Sequence, residues 1–185
     1  MFLLALVLDC SSLIPCGDKS KEIKEAIRQL GSEIYSFTNV VLCFSQYLIK
    51  VYHTKVATEL KHHHPLPPFQ ASIIRVLPEL RKIANKSRGF ICKTHQTEKG
   101  IKFHILESSF LKSYNVENIG LTEEEDKEVL RIALASSLKY QKVFLVSADN
   151  HFLRDLNKIE LLRRYKNEFS KVEIVKPDEL FSKLH

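Results

Sequence analysis

The sequence predicts an α/β fold in which a central, mostly parallel β-sheet lies between two layers of helices. Residues 2–8 form an uninterrupted apolar run, and the segment 142–146 is apolar at each position after Lys142. Apolar runs of this length indicate strands covered on both faces, as the strands of parallel sheets are. Segments with helical spacing alternate with such runs along the chain, which is typical of a three-layer α/β/α architecture.

A single domain is predicted for residues 1–185, because a chain of this length with 44% hydrophobic residues can bury one core of its own. The four cysteines form no CxxC pair and no dense framework, so a reducing cytoplasm fits best. The first apolar run has no basic segment before it and stops at Asp9, which favours a strand over a secretory signal. No other run is long enough to cross a membrane.

In the first half of the chain, an amphipathic helix is predicted over 19–34, a strand over 39–44 and a helix over about 45–60. The proline-rich tract at 62–68 breaks that helix, and helical spacing resumes over 69–87. The predicted order so far is strand, helix, strand, helix.

Two β-prone pieces follow at 89–94 and 101–106, and the short polar segment between them predicts a hairpin. The stretch from about 61 to 120 is interpreted as a basic helix and hairpin inserted in the domain. Three roles stay open for it: a basic binding surface, a dimer contact, or an insertion without a role of its own.

The second half begins with Thr122 and Glu125, whose spacing predicts a capping box and a helix running to about Tyr140. The strand at 142–146 comes next, followed by a long basic helix to about Phe169. A final strand is predicted over 172–175, and a proline followed by two acids then opens a short terminal helix.

Three aspartates are the candidate catalytic and metal-binding residues. Asp9 directly follows the first strand, and Asp149 comes three residues after the 142–146 strand. The carboxyl ends of parallel strands border the crevice where functional residues collect. Asp126 shares a helix face with apolar residues three, four and seven positions later, so its side chain is expected to point toward the sheet. Each aspartate has an alternative structural role: Asp9 could be a turn residue, Asp149 a helix N-cap, and Asp126 an acid that complements the helix dipole.

Carboxylates crowded at one edge repel each other unless a cation neutralises them. Mg²⁺ and Mn²⁺ prefer oxygen ligands and keep several of their waters, so the sequence predicts one of these ions as the cofactor. Such an ion activates water and neutralises phosphate charge, which predicts phosphodiester hydrolysis.

A basic segment supports an anionic substrate. The chain carries a net charge of +6, and residues 75–104 hold eight Lys and Arg residues against two Glu. Such a segment can follow a phosphate backbone, although a solvated helix and charged loop would have the same composition. The candidate nucleic-acid contacts are Arg81, Lys82, Lys86, Arg88 and Lys93.

Four stretches carry a resemblance to a known family. They are LVLDCSSLI at 6–14, DKEVLRIAL at 126–134, VFLVSADNHFL at 143–153 and VEIVKPDELF at 172–181. In order and spacing they resemble the PIN-domain nucleases, which include the ribonuclease toxins of archaeal and bacterial toxin–antitoxin pairs. The resemblance implies a PIN-like fold with Asp9, Asp126 and Asp149 as metal ligands. It also implies Ser11 and Ser147 as supporting hydroxyls.

The resemblance has one departure, since Gln46 stands where the family usually has a glutamate. Glutamine offers a carbonyl oxygen but no charge, so weaker metal binding is expected. The implied function is a cytoplasmic, metal-dependent endoribonuclease, with an antitoxin-like protein and a second copy of the chain as further partners. A catalytically weak module that binds RNA or protein and a nuclease that cleaves DNA are the alternatives.

Overall fold

The computed structural model describes residues 3–14, 18–33, 36–56, 58, 94–96, 100 and 102–184. Six strands within these residues form one sheet with the order β3-β4-β2-β1-β5-β6. Five of them are parallel, and β3 pairs antiparallel with β4 at the edge. The strands are β1 (Leu4–Leu8), β2 (Val40–Ser45), β3 (Thr94–Gln96), β4 (Lys102–Leu106), β5 (Lys142–Val146) and β6 (Val172–Val175).

Helices cover both faces of the sheet, which confirms the predicted three-layer α/β/α class. The helix α4 packs against β1, β2 and β5, while α1 packs against α8, which in turn contacts β5. None of the helices described is long and apolar enough to cross a bilayer. The helices are α1 (Lys21–Glu33), α2 (Gln46–Val51), α3 (Ser108–Leu111), α4 (Glu124–Ser136), α5 (His151–Arg154), α6 (Lys158–Arg164), α7 (Lys166–Phe169) and α8 (Pro177–Leu184).

The two apolar runs lie side by side at the centre of the sheet. Leu6 pairs with Phe144 and Leu8 with Val146, and the side chains of β1 and β5 are almost fully buried apart from the first residue of each strand. The bounds of β5 and β6 match the prediction, and β1 and β2 match within two residues. The chain passes from β1 to β2 on one side and from β5 to β6 on the other, so the strand order reverses between β1 and β5. A crevice at their carboxyl ends follows from this reversal.

The helix after β2 is less regular than predicted. It begins at Gln46, where the Ser45 hydroxyl accepts a hydrogen bond of 3.1 Å from the Leu48 backbone N–H. After Val51 it continues as a π-helix over Tyr52–Val56. The buried Tyr52 hydroxyl donates to the Leu8 carbonyl, so this turn is anchored on the end of β1.

The predicted capping box at the start of α4 is wrong. The helix begins at Glu124 with Glu123 as its N-cap, and no side chain makes the capping hydrogen bond. Thr122 is exposed and lies outside the helix, while the Glu125 side chain binds Lys55 on the neighbouring π-helix. The helix ends at Ser136, four residues before the predicted end, because the residues after it form turns.

The long basic helix predicted after β5 is also wrong, because three short helices stand in its place. The Asn157 side chain caps α6 by accepting from the Glu160 N–H at 3.0 Å. The Asn157 backbone N–H donates to the Ile119 carbonyl at 2.7 Å, so the break between α5 and α6 is held by the loop before α4. Gly120 in that loop has φ +92° and lies directly against the Asp155 carbonyl.

An antiparallel pair is present as β3 and β4, with Thr94 opposite His104 and Gln96 opposite Lys102, but the described first strand lies at Thr94–Gln96, so it extends beyond the predicted 89–94 into the segment predicted as the turn. The strand β4 also pairs in parallel with β2, so it belongs to the main sheet. The predicted helical segment at 69–87 and most of the first β-prone piece lie outside the described residues.

The strand β6 forms one edge of the sheet and has four residues. Its Glu173 carboxylate lies between two lysines, at 2.5 Å from Lys142 Nζ on β5 and in contact with Lys183 on α8. The outer edge of the sheet therefore carries a network of charges.

Candidate functional site

The carboxyl ends of β1 and β5 bring the first and last parts of the site together. The Asp9 backbone N–H donates to the Val146 carbonyl at 2.9 Å, which extends the pairing of β1 and β5 by one residue. Asp9 is 3% exposed. Its carboxylate is thus held at the point where the strand order reverses.

Two serines bracket the Asp9 carboxylate. The Ser11 hydroxyl donates to Asp9 Oδ2 at 2.5 Å, and the Ser147 hydroxyl donates to the same oxygen at 2.8 Å. The two hydroxyl oxygens are 3.2 Å apart. Both hydroxyls therefore bind the same oxygen of the carboxylate.

The same serines join the two loops that follow β1 and β5. Ser11 Oγ accepts from the Ala148 N–H at 3.0 Å, and Ser147 Oγ accepts from the Asp149 N–H at 3.1 Å. Asp149 lies on the exposed rim of the site. The hydroxyls expected to support the site therefore orient both Asp9 and the loop that carries Asp149.

Asp126 lies in the first turn of α4 and is half-buried. Val129, Leu130 and Ala133 on the same helix face are fully buried, as the helical spacing predicts. Burial is the main cause that raises the pKa of Asp126, and together with the charges of Asp9, Glu125 and Asp149, against a lowering by His151, it brings this pKa to about 6. The three predicted aspartates therefore lie within electrostatic range of one another.

Asp9 also favours its protonated form more than an exposed aspartate does. Burial raises its pKa, the hydrogen bonds from Ser11 and Ser147 lower it, and the charges of Asp149 and Glu125 raise it. Ionised carboxylates at this edge therefore have an unfavourable electrostatic energy that a bound cation would relieve.

The chemistry of the donors fits Mg²⁺ or Mn²⁺, because the three aspartates offer only oxygen. Over the part of the chain that the structure describes, no three His, Cys, Asp or Glu side chains are close enough to hold a metal ion jointly. Mg²⁺ is commonly held by one or two carboxylates and completes its shell with water. As the structure places them, Asp9, Asp126 and Asp149 therefore do not form a joint three-carboxylate site, and one or two of them together with water would be the ligands of such an ion.

Gln46 begins α2 directly after β2 and is exposed. Because β2 is the parallel neighbour of β1, Gln46 lies at the same sheet edge as Asp9. The five candidate nucleic-acid contacts lie outside the described residues. They are Arg81, Lys82, Lys86, Arg88 and Lys93.

The sequence analysis did not identify three residues near this edge. Glu125 contacts Lys55 and acts electrostatically on Asp9 and Asp126. His151 lies two residues after Asp149, its charge lowers the pKa of Asp126, and its Nδ1 is 3.3 Å from Asp155 Oδ2. The position of His151 beside Asp149 was the one available signal, since Glu125 matched a capping pattern and Lys55 matched no motif.

The buried Cys10 is not a candidate nucleophile. Burial raises the pKa of its thiol, and the nearby carboxylate of Glu125 raises it further. A thiol in these surroundings stays protonated at neutral pH.

Comparisons with protein-family models, curated proteins and solved structures find no match to this chain.

The raised pKa of Asp126 predicts a pH dependence of stability in the metal-free protein. Between about pH 4 and about pH 6 the folded form retains a proton that the unfolded form has lost. Stability contributed by Asp126 therefore falls as the pH rises through this window. Urea unfolding from pH 4 to 7.5 should show a steeper fall for the wild type than for Asp126→Asn.

The matched control is Asp178→Asn, because Asp178 is an exposed aspartate in the first turn of α8. This variant should keep the wild-type slope. A wild type and an Asp126→Asn variant with parallel profiles would contradict the assignment of the raised pKa to Asp126.

Proposed function

We propose that this protein is a PIN-like endoribonuclease that depends on Mg²⁺ or Mn²⁺. One observation carries the proposal: the buried Asp9 carboxylate lies at the reversal of strand order and is in electrostatic range of Asp126 and Asp149. Ligand sites in open α/β sheets lie at such reversals. The order and spacing of the motifs around these aspartates resemble the PIN-domain nucleases, which adds the reaction class.

The residues at this edge have three kinds of role in the proposed reaction. Asp9, Asp126 and Asp149 supply the negative oxygens, and a bound Mg²⁺ or Mn²⁺ would supply an activated water and neutralise phosphate charge. Ser11 and Ser147 keep the Asp9 carboxylate in one orientation through their hydrogen bonds to Oδ2. Gln46 at the neighbouring strand end contributes a carbonyl or amide contact without charge.

RNA is the proposed substrate because the chain has a net charge of +6 and a concentration of Lys and Arg over residues 75–104. Arg81, Lys82, Lys86, Arg88 and Lys93 are the proposed backbone contacts. The cytoplasm is the proposed compartment, and an antitoxin-like protein and a second copy of the chain are proposed partners. The compartment follows from the cysteine pattern, and the two partners derive from the resemblance.

The test is cleavage of a labelled single-stranded RNA by the purified chain, with and without added Mg²⁺ or Mn²⁺. Cleavage should require the metal and stop with a chelator. Asp126→Asn should reduce the rate by at least about a hundredfold, because removing a residue that only supports a metal ligand already costs about tenfold to a hundredfold. Asp178→Asn, at an exposed position on α8, should cleave like the wild type.

Equal cleavage by Asp126→Asn and the wild type would remove Asp126 from the site. A matched single-stranded DNA of the same sequence decides the substrate, since contacts to the 2′-hydroxyl distinguish RNA from DNA. Faster cleavage of the DNA would convert the proposal to a DNA nuclease.

A second function, a PIN-like module that binds RNA or a protein with little turnover, is favoured by the uncharged Gln46 at the sheet edge. Binding of RNA by such a module would fall with salt and would survive neutralisation of Asp9, Asp126 and Asp149. Metal-dependent turnover that any of these substitutions abolishes would rule it out.

A further inference from the structure

Two large hydrophobic side chains are exposed next to each other on α6. Ile159 is 83% exposed and Leu162 is 44% exposed. Their spacing of three residues places them on the same side of the helix. Within the part of the chain that the structure describes, the other exposed large hydrophobics, Tyr47 and Leu138, lie on separate elements. Isolated exposed hydrophobics are ordinary, whereas adjacent ones inside a polar rim mark interaction sites.

Basic side chains surround the two hydrophobic residues. Arg163 comes four positions after Ile159, so it lies on the same side of the helix, and its side chain is 72% exposed. Lys158 begins α6, Lys166 begins α7, and both are exposed. The outer face of α6, formed by Ile159, Leu162 and Arg163, is therefore apolar at its centre and basic around it.

The one acid of α6 does not neutralise this rim. Glu160 is 20% exposed and accepts hydrogen bonds from Arg163 Nε at 2.8 Å and from Arg164 Nε at 2.6 Å. Its single negative charge is shared by two guanidinium groups. Residues 154–166 hold five Lys and Arg residues against two Asp and Glu. The charge around the outer face of α6 is therefore positive.

The opposite side of α6 holds the helix in place. Leu161 is fully buried, and the Asn157 side chain caps the helix. Arg164 Nη1 donates to the Asn115 carbonyl at 3.0 Å and to the Glu117 carbonyl at 2.9 Å. The outer face is thus presented on an anchored helix, so a partner can bind it without ordering the segment first.

A second copy of the chain and a nucleic acid fit this face poorly. A two-fold contact places the same surface of both copies together, so the two basic rims would repel each other. Proteins bind single-stranded nucleic acids with basic grooves and aromatic side chains on which the bases stack. Ile159 and Leu162 provide no aromatic surface for stacking. A partner that is both acidic and apolar matches the charge and the centre of the face.

We propose that the outer face of α6 binds a protein segment in which apolar side chains are flanked by Asp and Glu. Ile159 and Leu162 form the apolar centre of the contact, and the basic residues around them pair with the partner's acids at its rim. The rim charges select the partner and speed its association, while the apolar centre supplies affinity. This surface is independent of the acidic sheet edge and of the proposed reaction.

The test is fluorescence anisotropy of a labelled helical peptide built of Glu-Glu-Leu-Leu repeats, titrated with the full chain. Two counterparts have the leucines replaced by glutamine or the glutamates replaced by lysine. Each should bind at least about tenfold more weakly, because each lacks one of the two matching features. Ile159→Gln should weaken binding of the first peptide by about tenfold, the loss expected for an apolar residue at the centre of an interface.

The basic rim is tested by the double variant Lys158→Gln and Lys166→Gln. It should weaken binding of the acidic, apolar peptide by about threefold to fivefold, the scale of exposed ion pairs. Its binding should also depend less on salt than that of the wild type, because fewer exposed charges are left to be screened.

Two matched controls lie elsewhere on the surface. Leu138→Gln removes another exposed hydrophobic residue, and Lys50→Gln removes an exposed lysine from α2. Both should bind the acidic, apolar peptide within about twofold of the wild type, against the roughly tenfold loss at Ile159. Urea unfolding shows whether each variant is folded, and replacing Ile159 leaves the core intact because its side chain is mostly exposed.

Each contrary outcome overturns the proposal. A wild type that binds the acidic, apolar peptide no more tightly than its glutamine counterpart would do so. Equal binding by Ile159→Gln and Leu138→Gln would do the same. Self-association that Ile159→Gln abolishes in analytical ultracentrifugation would assign the face to a second copy instead. Binding of single-stranded RNA or of phosphatidylserine vesicles that Ile159→Gln abolishes would assign it to a nucleic acid or a membrane.

Discussion

Asp9→Asn is expected to abolish metal-dependent RNA cleavage and to make the folded protein more stable. The loss should reach about a thousandfold, the upper end of what one preorganised charge-stabilising group contributes. The amide oxygen of asparagine can accept the same hydrogen bonds from Ser11 and Ser147, so the loops should keep their arrangement.

The gain in stability follows from the direction of the Asp9 pKa. Burial raises this pKa above the ordinary value of 3.8, so the ionised carboxylate destabilises the fold at neutral pH. Asparagine carries no charge and removes this cost. The stability advantage of the variant should therefore be smallest below about pH 3.8 and grow as the pH rises.

Urea unfolding and a cleavage assay on the same preparations check both parts. Added Mg²⁺ should stabilise the wild type and leave Asp9→Asn unchanged, because only a bound ligand shifts the folding equilibrium. Asp18→Asn, at an exposed aspartate, is the control and should match the wild type in both assays. An active Asp9→Asn variant, or one less stable at neutral pH, would contradict the role given to Asp9.

Gly120→Ala is expected to produce the largest loss of stability among single substitutions at the glycines described. Gly120 has φ +92°, and a Cβ there would lie 1.8 Å from the Asp155 carbonyl oxygen. The left-handed backbone conformation of an alanine and the overlap of its Cβ with Asp155 together should lower the free energy of unfolding by about 2 to 5 kcal/mol. That is a large part of the typical 5 to 15 kcal/mol stability of a domain.

Gly100→Ala separates the two contributions. Gly100 has a similar φ of +83°, but a Cβ there would meet only Gln96 Nε2 at 3.8 Å. Its cost should therefore be the strain alone, about 1 to 2 kcal/mol. Urea unfolding at pH 7 measures both variants, and equal costs would show that the contact with Asp155 does not matter.

The sequence predicts the parts of this fold that depend on local burial and periodicity. The 142–146 run is apolar at each position but the first, so its bounds follow from composition alone. The inward direction of Asp126 follows from the helical spacing of Val129, Leu130 and Ala133. The position of Asp9 and Asp149 at one sheet edge follows from the strand-end rule for parallel sheets.

Contacts between distant segments account for what the sequence did not predict. The break at Asn157 depends on a hydrogen bond to Ile119, so the helical spacing of 151–169 could not reveal it. The Glu125 side chain fits a capping pattern, yet its contact with Lys55 replaces the cap. The π-turn that places Lys55 likewise depends on the bond from Tyr52 to Leu8.

The charged outer edge of the sheet bears on how two copies of the chain would associate. An exposed strand offers unpaired backbone groups to a strand of another molecule, and proteins resist this with short strands and charged side chains. In β6 the strand is short, and Glu173 is enclosed by Lys142 and Lys183. A continuous intermolecular sheet through β6 is therefore disfavoured, and a homodimer would have to form through other surfaces.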